Sequence, residues 1–241
     1  MSPLADALLL ALLGGLSIPL GGLAARAEHI QNRWLEQEFR HSVLAFGGGA
    51  LLAAVTLILV PKGAESLPTV AAIVLFLAGG ATFLFIDRLI ARYGGTQLLA
   101  MCLDFLPESA ALGALLAVDR GAGLVLAMLI ALQNLPEAFN AYREIAGRRR
   151  VPRKVIIPAF FGIAMLGPLA AYLGHSLLSD APATLGGVMI FAAGGILYIV
   201  FQDIAPSAKL RNAWAPPFGA VLGFALGMAG QAIERRQQAI I

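Results

Sequence analysis

The chain has one cysteine, Cys102, three histidines, and few charges: only 13% of its 241 residues are Asp, Glu, Lys or Arg. A single cysteine excludes a disulfide-stapled secreted scaffold. An ordinary soluble domain carries about 25% charged residues. The shortage of charge accompanies a 59% share of hydrophobic residues. That balance excludes disorder, which needs low hydrophobicity and high charge. It also excludes a soluble globule of this length, most of whose surface would have to face water. An integral membrane protein remains, and the mean hydropathy of +0.82 agrees. The net charge of +3 is assigned to loops that orient the chain in a bilayer, not to a nucleic-acid partner.

What is present are long apolar runs. A spanning helix needs about 20 mostly apolar residues. Eight such runs are read at roughly 4–25, 43–61, 69–86, 97–118, 121–142, 155–178, 184–205 and 214–232. This gives an all-α integral membrane protein of eight transmembrane helices, with one transmembrane domain over 1–241. The first run lacks a basic flank and is too long for a signal peptide. Between Arg26 and Ser42, Ile30, Trp34, Leu35 and Phe39 recur at roughly helical spacing among charges. That stretch reads either as an amphipathic helix on the membrane surface or as a plain polar loop.

The basic residues set the orientation. Arg26, Arg33, Arg40, Arg88, Arg92, Arg143, Arg148, Arg149, Arg150, Arg153, Lys154, Lys209 and Arg211 fall in alternate gaps on one side, thirteen of the 17. Lys62, Arg120, Arg235 and Arg236 fall on the other. The positive-inside rule then predicts both termini outside the cytoplasm, with Arg148–Arg150 a topology anchor. On the last span Gly219, Gly223 and Gly227 recur every fourth residue. Small residues at that spacing let helices approach closely, either within the chain or at a dimer face.

Most carboxylates fall in gaps, and the exceptions are informative. Asp104 and Glu108 lie in span four, Glu137 lies in span five beside Gln133, Asn134 and Asn140, and Asp203 sits near the end of span seven. An ionised group at bilayer depth costs about 3 kcal/mol on insertion scales. No Lys or Arg lies at matching depth, so a proton or a bound cation must neutralise these carboxylates. Asp104 and Glu108 are four apart, as are Gln133 and Glu137, so each pair shares a helix face. Pro107 and Pro136 follow the first member of each pair by three residues. Each proline leaves the carbonyl four residues earlier, at Leu103 and Leu132, without its helical donor. A kink there is expected to open a polar cavity.

The segments Asp104-Phe105-Leu106-Pro107-Glu108-Ser109 and Gln133-Asn134-Leu135-Pro136-Glu137-Ala138 also resemble one another. Consecutive spans run antiparallel, so the two copies face each other as an inverted repeat, a recurring transporter design. An oxygen-rich donor set favours harder ions such as Mn²⁺ or Fe²⁺ over histidine-preferring Zn²⁺. His29, His41 and His175 fall near span ends and read as interface residues, and Cys102 reads as a buried small apolar residue. No serine–histidine pair or zinc-hydrolase ligand set accompanies the carboxylates, so no catalytic residue and no enzyme activity are expected.

With these motifs the chain resembles the ZIP (Zrt/Irt-like) metal transporters. The Pro-Glu pairs on spans four and five are similar to that family's metal-binding helices. Leu44 through Pro61 resembles its second span, and Phe191 through Pro206 its seventh. The resemblance implies a ZIP-like inverted-repeat bundle that carries divalent transition metals (Mn²⁺, Fe²⁺ or Zn²⁺) into the cytoplasm, often as a homodimer, by an elevator-like motion. Glu108 and Glu137 then fall where the family's shared acidic ligands fall, Gln133 and Asn134 at positions that serve as ligands, and Asp104 where histidine is usual. The metal would be cargo, with no cofactor, and the other partners would be membrane lipids.

The departures imply a reduced site. Phe105 replaces the usual asparagine, Gly167 stands where many members place glutamate, and Lys62 where many place an acid. One metal site is expected instead of two. The alternative is a non-transporting ZIP-like metal-binding or interaction protein with a degenerate site. Asp203 is read either as lying on the exit path or as capping its span. The compact chain without long loops points to a prokaryotic cytoplasmic (inner) membrane, the plasma membrane of such a cell.

Overall fold

The structure, a computed structural model, describes residues 2–28, 33–90, 96–147, 151–208 and 213–238. Of the residues singled out above, His29, Ile30, Arg92, Arg148, Arg149, Arg150, Lys209 and Arg211 lie outside these ranges. The described residues form helices joined by short turns, with no strand among them. Eight of these helices are long and apolar enough to cross a membrane, which makes this an integral membrane protein. They are α1 (Pro3–Ala27), α2 (Arg33–Ala53, continuing through Val60–Glu65), α3 (Thr69–Ile90), α4 (Thr96–Val118), α5 (Arg120–Gly147), α6 (Arg153–Leu178), α7 (Pro182–Ile199, continuing through Ala205–Ala208) and α8 (Ala215–Gln238).

Local chemistry sets several ends. Ser2 caps α1, its hydroxyl accepting from the Ala5 N–H at 3.3 Å, and Pro3 occupies the first helical position, where no donor is needed. Residues from Arg33 onward belong to the unbroken start of α2. Arg33–Ser42 is therefore the entry to a spanning helix, not a separate surface helix, while Arg26 and Ala27 end α1.

Both α2 and α7 loosen into a π-helical stretch before a proline. These are Ala54–Leu59 ahead of Pro61 and Val200–Ile204 ahead of Pro206. The Val60 N–H bonds back five residues to the Val55 carbonyl, and Ala205 likewise to Val200. Pro61 cannot donate to the Leu57 carbonyl. The Gln231 side chain of α8 supplies that donor instead, at 3.0 Å.

The helices pack as two interlocking sets. In one, α1 contacts α4, α5 and α6, and α4 contacts α5 and α6. In the other, α2 lies against α8, and α3 and the end of α2 lie against α7. The sets meet where α5 touches α2 and α8, and where α4 touches α7. The α2–α8 crossing uses the glycine stripe. A Cβ at Gly219 would strike Ser42, one at Gly223 the Phe46 carbonyl, and one at Gly227 the Ala53 methyl. The stripe thus serves close packing within the chain. Outward-facing Val70, Ile73, Val74, Leu77, Phe85 and Leu89 of α3 are exposed, as a lipid-facing helix requires.

Polar contacts show which helix ends lie together. At one end Arg120 pairs with Asp6 at 2.9 Å and Lys62 with Asp119 at 2.8 Å. At the other, Arg143 pairs with Glu28, and the Tyr198 hydroxyl donates to Asp87 at 3.0 Å. This second end also gathers Arg26, Arg40, Arg88, Arg153 and Lys154, and is called the basic end below.

Candidate functional site

The most buried stretch of polar chemistry sits where α4 and α5 cross. Asp104, Glu108, Ser109, Gln133 and Asn134 are fully buried, and Glu137 nearly so. Four of the expected site residues come together there. The Gln133 amide Nε2 donates to the Glu108 carboxylate at 2.5 Å. Asp104 lies within electrostatic range of both Glu108 and Glu137, and those two of each other. The helical four-residue spacing does this: it stacks each pair on the face that its antiparallel neighbour meets.

Asn134, the fifth expected residue, turns toward α1. Its Nδ2 donates to the Gly14 carbonyl at 3.2 Å. Pro107 and Pro136 lie inside unbroken helices, so neither α4 nor α5 breaks at the site.

The donor–acceptor balance is one-sided. Both oxygens of Asp104 and of Glu137, Glu108 Oε1, Gln133 Oε1, Asn134 Oδ1 and the Ser109 hydroxyl are buried without a hydrogen-bond partner. Leaving one such group unpaired typically costs about 1–3 kcal/mol. A cluster rich in carboxylate and amide oxygens, whose donors are the Gln133 and Asn134 amides and the Ser109 hydroxyl, is chemically suited to a cation. As the side chains stand, however, no group of three or more His, Cys, Asp or Glu among the described residues is placed to hold a metal ion.

The space beside the cluster is filled by an aromatic ring. Phe105 is fully buried. A Cβ at Gly167 of α6 would lie 2.5 Å from Phe105 Cζ, and one at Gly15 of α1 would lie 3.2 Å from the same atom. The two departures noted in the sequence, phenylalanine at 105 and glycine at 167, are therefore neighbours. The ring occupies the volume that a longer side chain at 167 would need.

The other singled-out residues lie elsewhere. His175 Nδ1 is 3.3 Å from the Gly113 carbonyl, and His41 Nδ1 is 2.5 Å from the Gln37 carbonyl. Both histidines thus bond to backbone away from the carboxylates. Cys102 is half-buried, not fully enclosed, and lies within electrostatic range of Asp104 and Glu137. Asp203 is half-buried in the π-helical stretch of α7.

Asp203 faces a polar cavity at the basic end, of about 220 Å³, lined by Arg40, His41, Leu44, Asn140, Glu144, Asp203 and Ser207. This cavity lies beyond the cluster, toward the helix ends, and is not the one expected from a proline kink beside the carboxylates. Glu144 and Arg40 were not anticipated there. Glu144 follows Glu137 by seven residues, two helical turns on the same face, and that spacing is the signal that could have found it.

No family model matches the chain, and no curated protein matches it either.

Proposed function

We propose that the protein is a membrane transporter of divalent transition-metal cations, Mn²⁺, Fe²⁺ or Zn²⁺, resembling the ZIP family and carrying the ion toward the cytoplasm of a prokaryotic cell. The observation that carries this reading is the set of buried, unpartnered oxygens on Asp104, Glu108, Gln133 and Glu137, between helices apolar enough to span a bilayer. A divalent cation satisfies several such oxygens at once and offsets their charge.

In this reading Asp104, Glu108 and Glu137 supply carboxylate oxygens, and Gln133 a neutral one. Turning the Gln133 amide by half a rotation exchanges its donor for its acceptor toward Glu108. Side-chain rotation then draws the carboxylates together around the ion. Any protons the carboxylates carry leave as it binds. Neutral amide oxygens limit the charge on the ion, which keeps binding reversible. The packing of Phe105 against Gly167 and Gly15 supports one ion position in place of two.

The alternative is a protein that binds metal without moving it. The feature favouring it is the reduced donor set, with Asp104 where the resembled family usually has histidine and Gly167 where many members place glutamate. Uptake into proteoliposomes separates the readings. Transport of radiolabelled Mn²⁺, Fe²⁺, Zn²⁺ or Cd²⁺ is expected for the parent and not for Glu137→Gln. Equal uptake by the two would show the site assignment to be wrong. Binding without uptake in the parent would establish the alternative.

A further inference from the structure

The cavity at the basic end is joined to the buried cluster by one face of α5. Gln133, Glu137, Asn140 and Glu144 stand at intervals of four, three and four residues, so they form a single polar stripe along the helix. Its inner end touches Glu108 through Gln133. Its outer end, Asn140 and Glu144, lines the cavity with His41, Asp203 and Ser207. A volume of about 220 Å³ holds roughly seven waters, enough for a divalent cation with its first hydration shell.

A contact between α2 and α5 crosses this path. Asn140 is 1% exposed and is the step between Glu137 and the cavity. Its Nδ2 donates to the Pro136 carbonyl at 2.9 Å, which fixes the amide. Its Oδ1, the oxygen a passing cation would use, accepts the Arg40 Nε–H at 3.3 Å. Arg40 belongs to α2, and Asn140 to α5, so the contact ties the two helix sets together. It also places a positive charge beside this buried polar step.

We propose that the Arg40–Asn140 contact is the gate between the buried acidic cluster and this cavity, and that the cavity is the vestibule through which a divalent cation passes. Arg40 holds the amide oxygen that the ion must take over and repels an ion until it swings aside. It acts as a positioning residue and sets the rate of exchange, not the affinity of the site. The proposal rests on the transport reading above.

The test uses the purified full chain in lipid nanodiscs loaded with radiolabelled Mn²⁺. Exchange against excess unlabelled Mn²⁺ is timed, and the amount bound at equilibrium is measured on the same samples. Arg40→Gln should exchange roughly tenfold faster, the scale set by loss of one charge-assisted hydrogen bond, with the bound amount unchanged. Arg40→Lys keeps the charge without the planar fork and should fall between. With Asn140→Ala already in place, Arg40→Gln should add no further acceleration, because both remove the same contact.

Parent-like exchange in Arg40→Gln would overturn the gate while leaving the buried site intact. Additive acceleration in the double variant, or loss of bound Mn²⁺ in Arg40→Gln, would overturn it too. Failure of the parent to bind Mn²⁺, or undiminished binding by Glu137→Gln, would instead overturn the transport reading beneath it.

Discussion

The packing of Phe105 against Gly167 makes a quantitative claim about the space beside the cluster. An added Cβ at position 167 would sit 2.5 Å from Phe105 Cζ and 3.1 Å from the Ala11 carbonyl oxygen. Comfortable carbon–carbon separation is about 3.5–4.0 Å, so the ring must retreat by about 1 Å or more. Phe105 is fully buried with no exposed edge to retreat to. Overpacking of this kind costs about 1–3 kcal/mol, the alanine regains about 1 kcal/mol of helix propensity, and Gly167→Ala should destabilise by up to about 2 kcal/mol. Phe105→Leu removes the far end of the ring and should itself cost about 1–2 kcal/mol through the cavity left behind. In the double variant the new methyl enters the vacated space. The combined loss should therefore fall short of the sum by about 1 kcal/mol or more. The assay is SDS-induced unfolding in mixed micelles, followed by tryptophan fluorescence. Additive losses in the double variant would refute the reasoning that the ring fills this site.

Two further outcomes are expected. Burial pushes the Asp119 carboxyl upward, but the hydrogen bonds from Lys62 and the Ala122 N–H outweigh it and hold the group below the usual carboxylate range. Its folded pKa is thus depressed, so the stabilisation is fully present above about pH 3.9, the unfolded value. It should fade as pH drops below that, by no more than about 1 kcal/mol for so accessible a pair. Unfolding measured between pH 7 and pH 3 should show this acid loss in the parent and a smaller one in Asp119→Asn. Gln231→Leu should destabilise by about 1–3 kcal/mol in the same SDS unfolding assay, because it removes the side-chain donor to the Leu57 carbonyl that Pro61 leaves free. An unchanged midpoint would mean that carbonyl needs no side-chain donor.

The helices were legible because hydropathy over about 20 residues is a local signal. The repeated Pro-Glu segments were legible because a four-residue spacing projects onto one face whatever the surroundings. Both depend only on the chain's own period. What was not legible depends on which helix lies opposite. The meeting of Phe105 with Gly167 and Gly15 needs α1, α4 and α6 brought together, and nothing in the local pattern of any of them announces it. Arg40 reads in sequence as one more topology charge. Its contact with Asn140 spans one hundred residues. Asn134 entered the expected site with Gln133 because the family resemblance places both at ligand positions, yet one residue turns a helix by about 100°, and this carries its amide to the Gly14 carbonyl of α1. The glycine stripe of α8 left two readings open in sequence, and only the position of α2 decided that it packs within the chain.

The central claim is that the buried oxygens of α4 and α5 hold one divalent cation. Metal content of the purified chain after loading with Mn²⁺, measured by elemental analysis across a concentration series, tests it most directly. The expected result is one ion per chain in the parent. Because even outer partners of a metal ligand are worth about 10–100-fold in affinity, Glu137→Gln and Glu108→Gln should each weaken binding by more than about tenfold. Asp203→Asn, which alters the cavity and not the cluster, should leave the stoichiometry at one. No bound Mn²⁺ in the parent, or full binding in Glu137→Gln, would contradict the account.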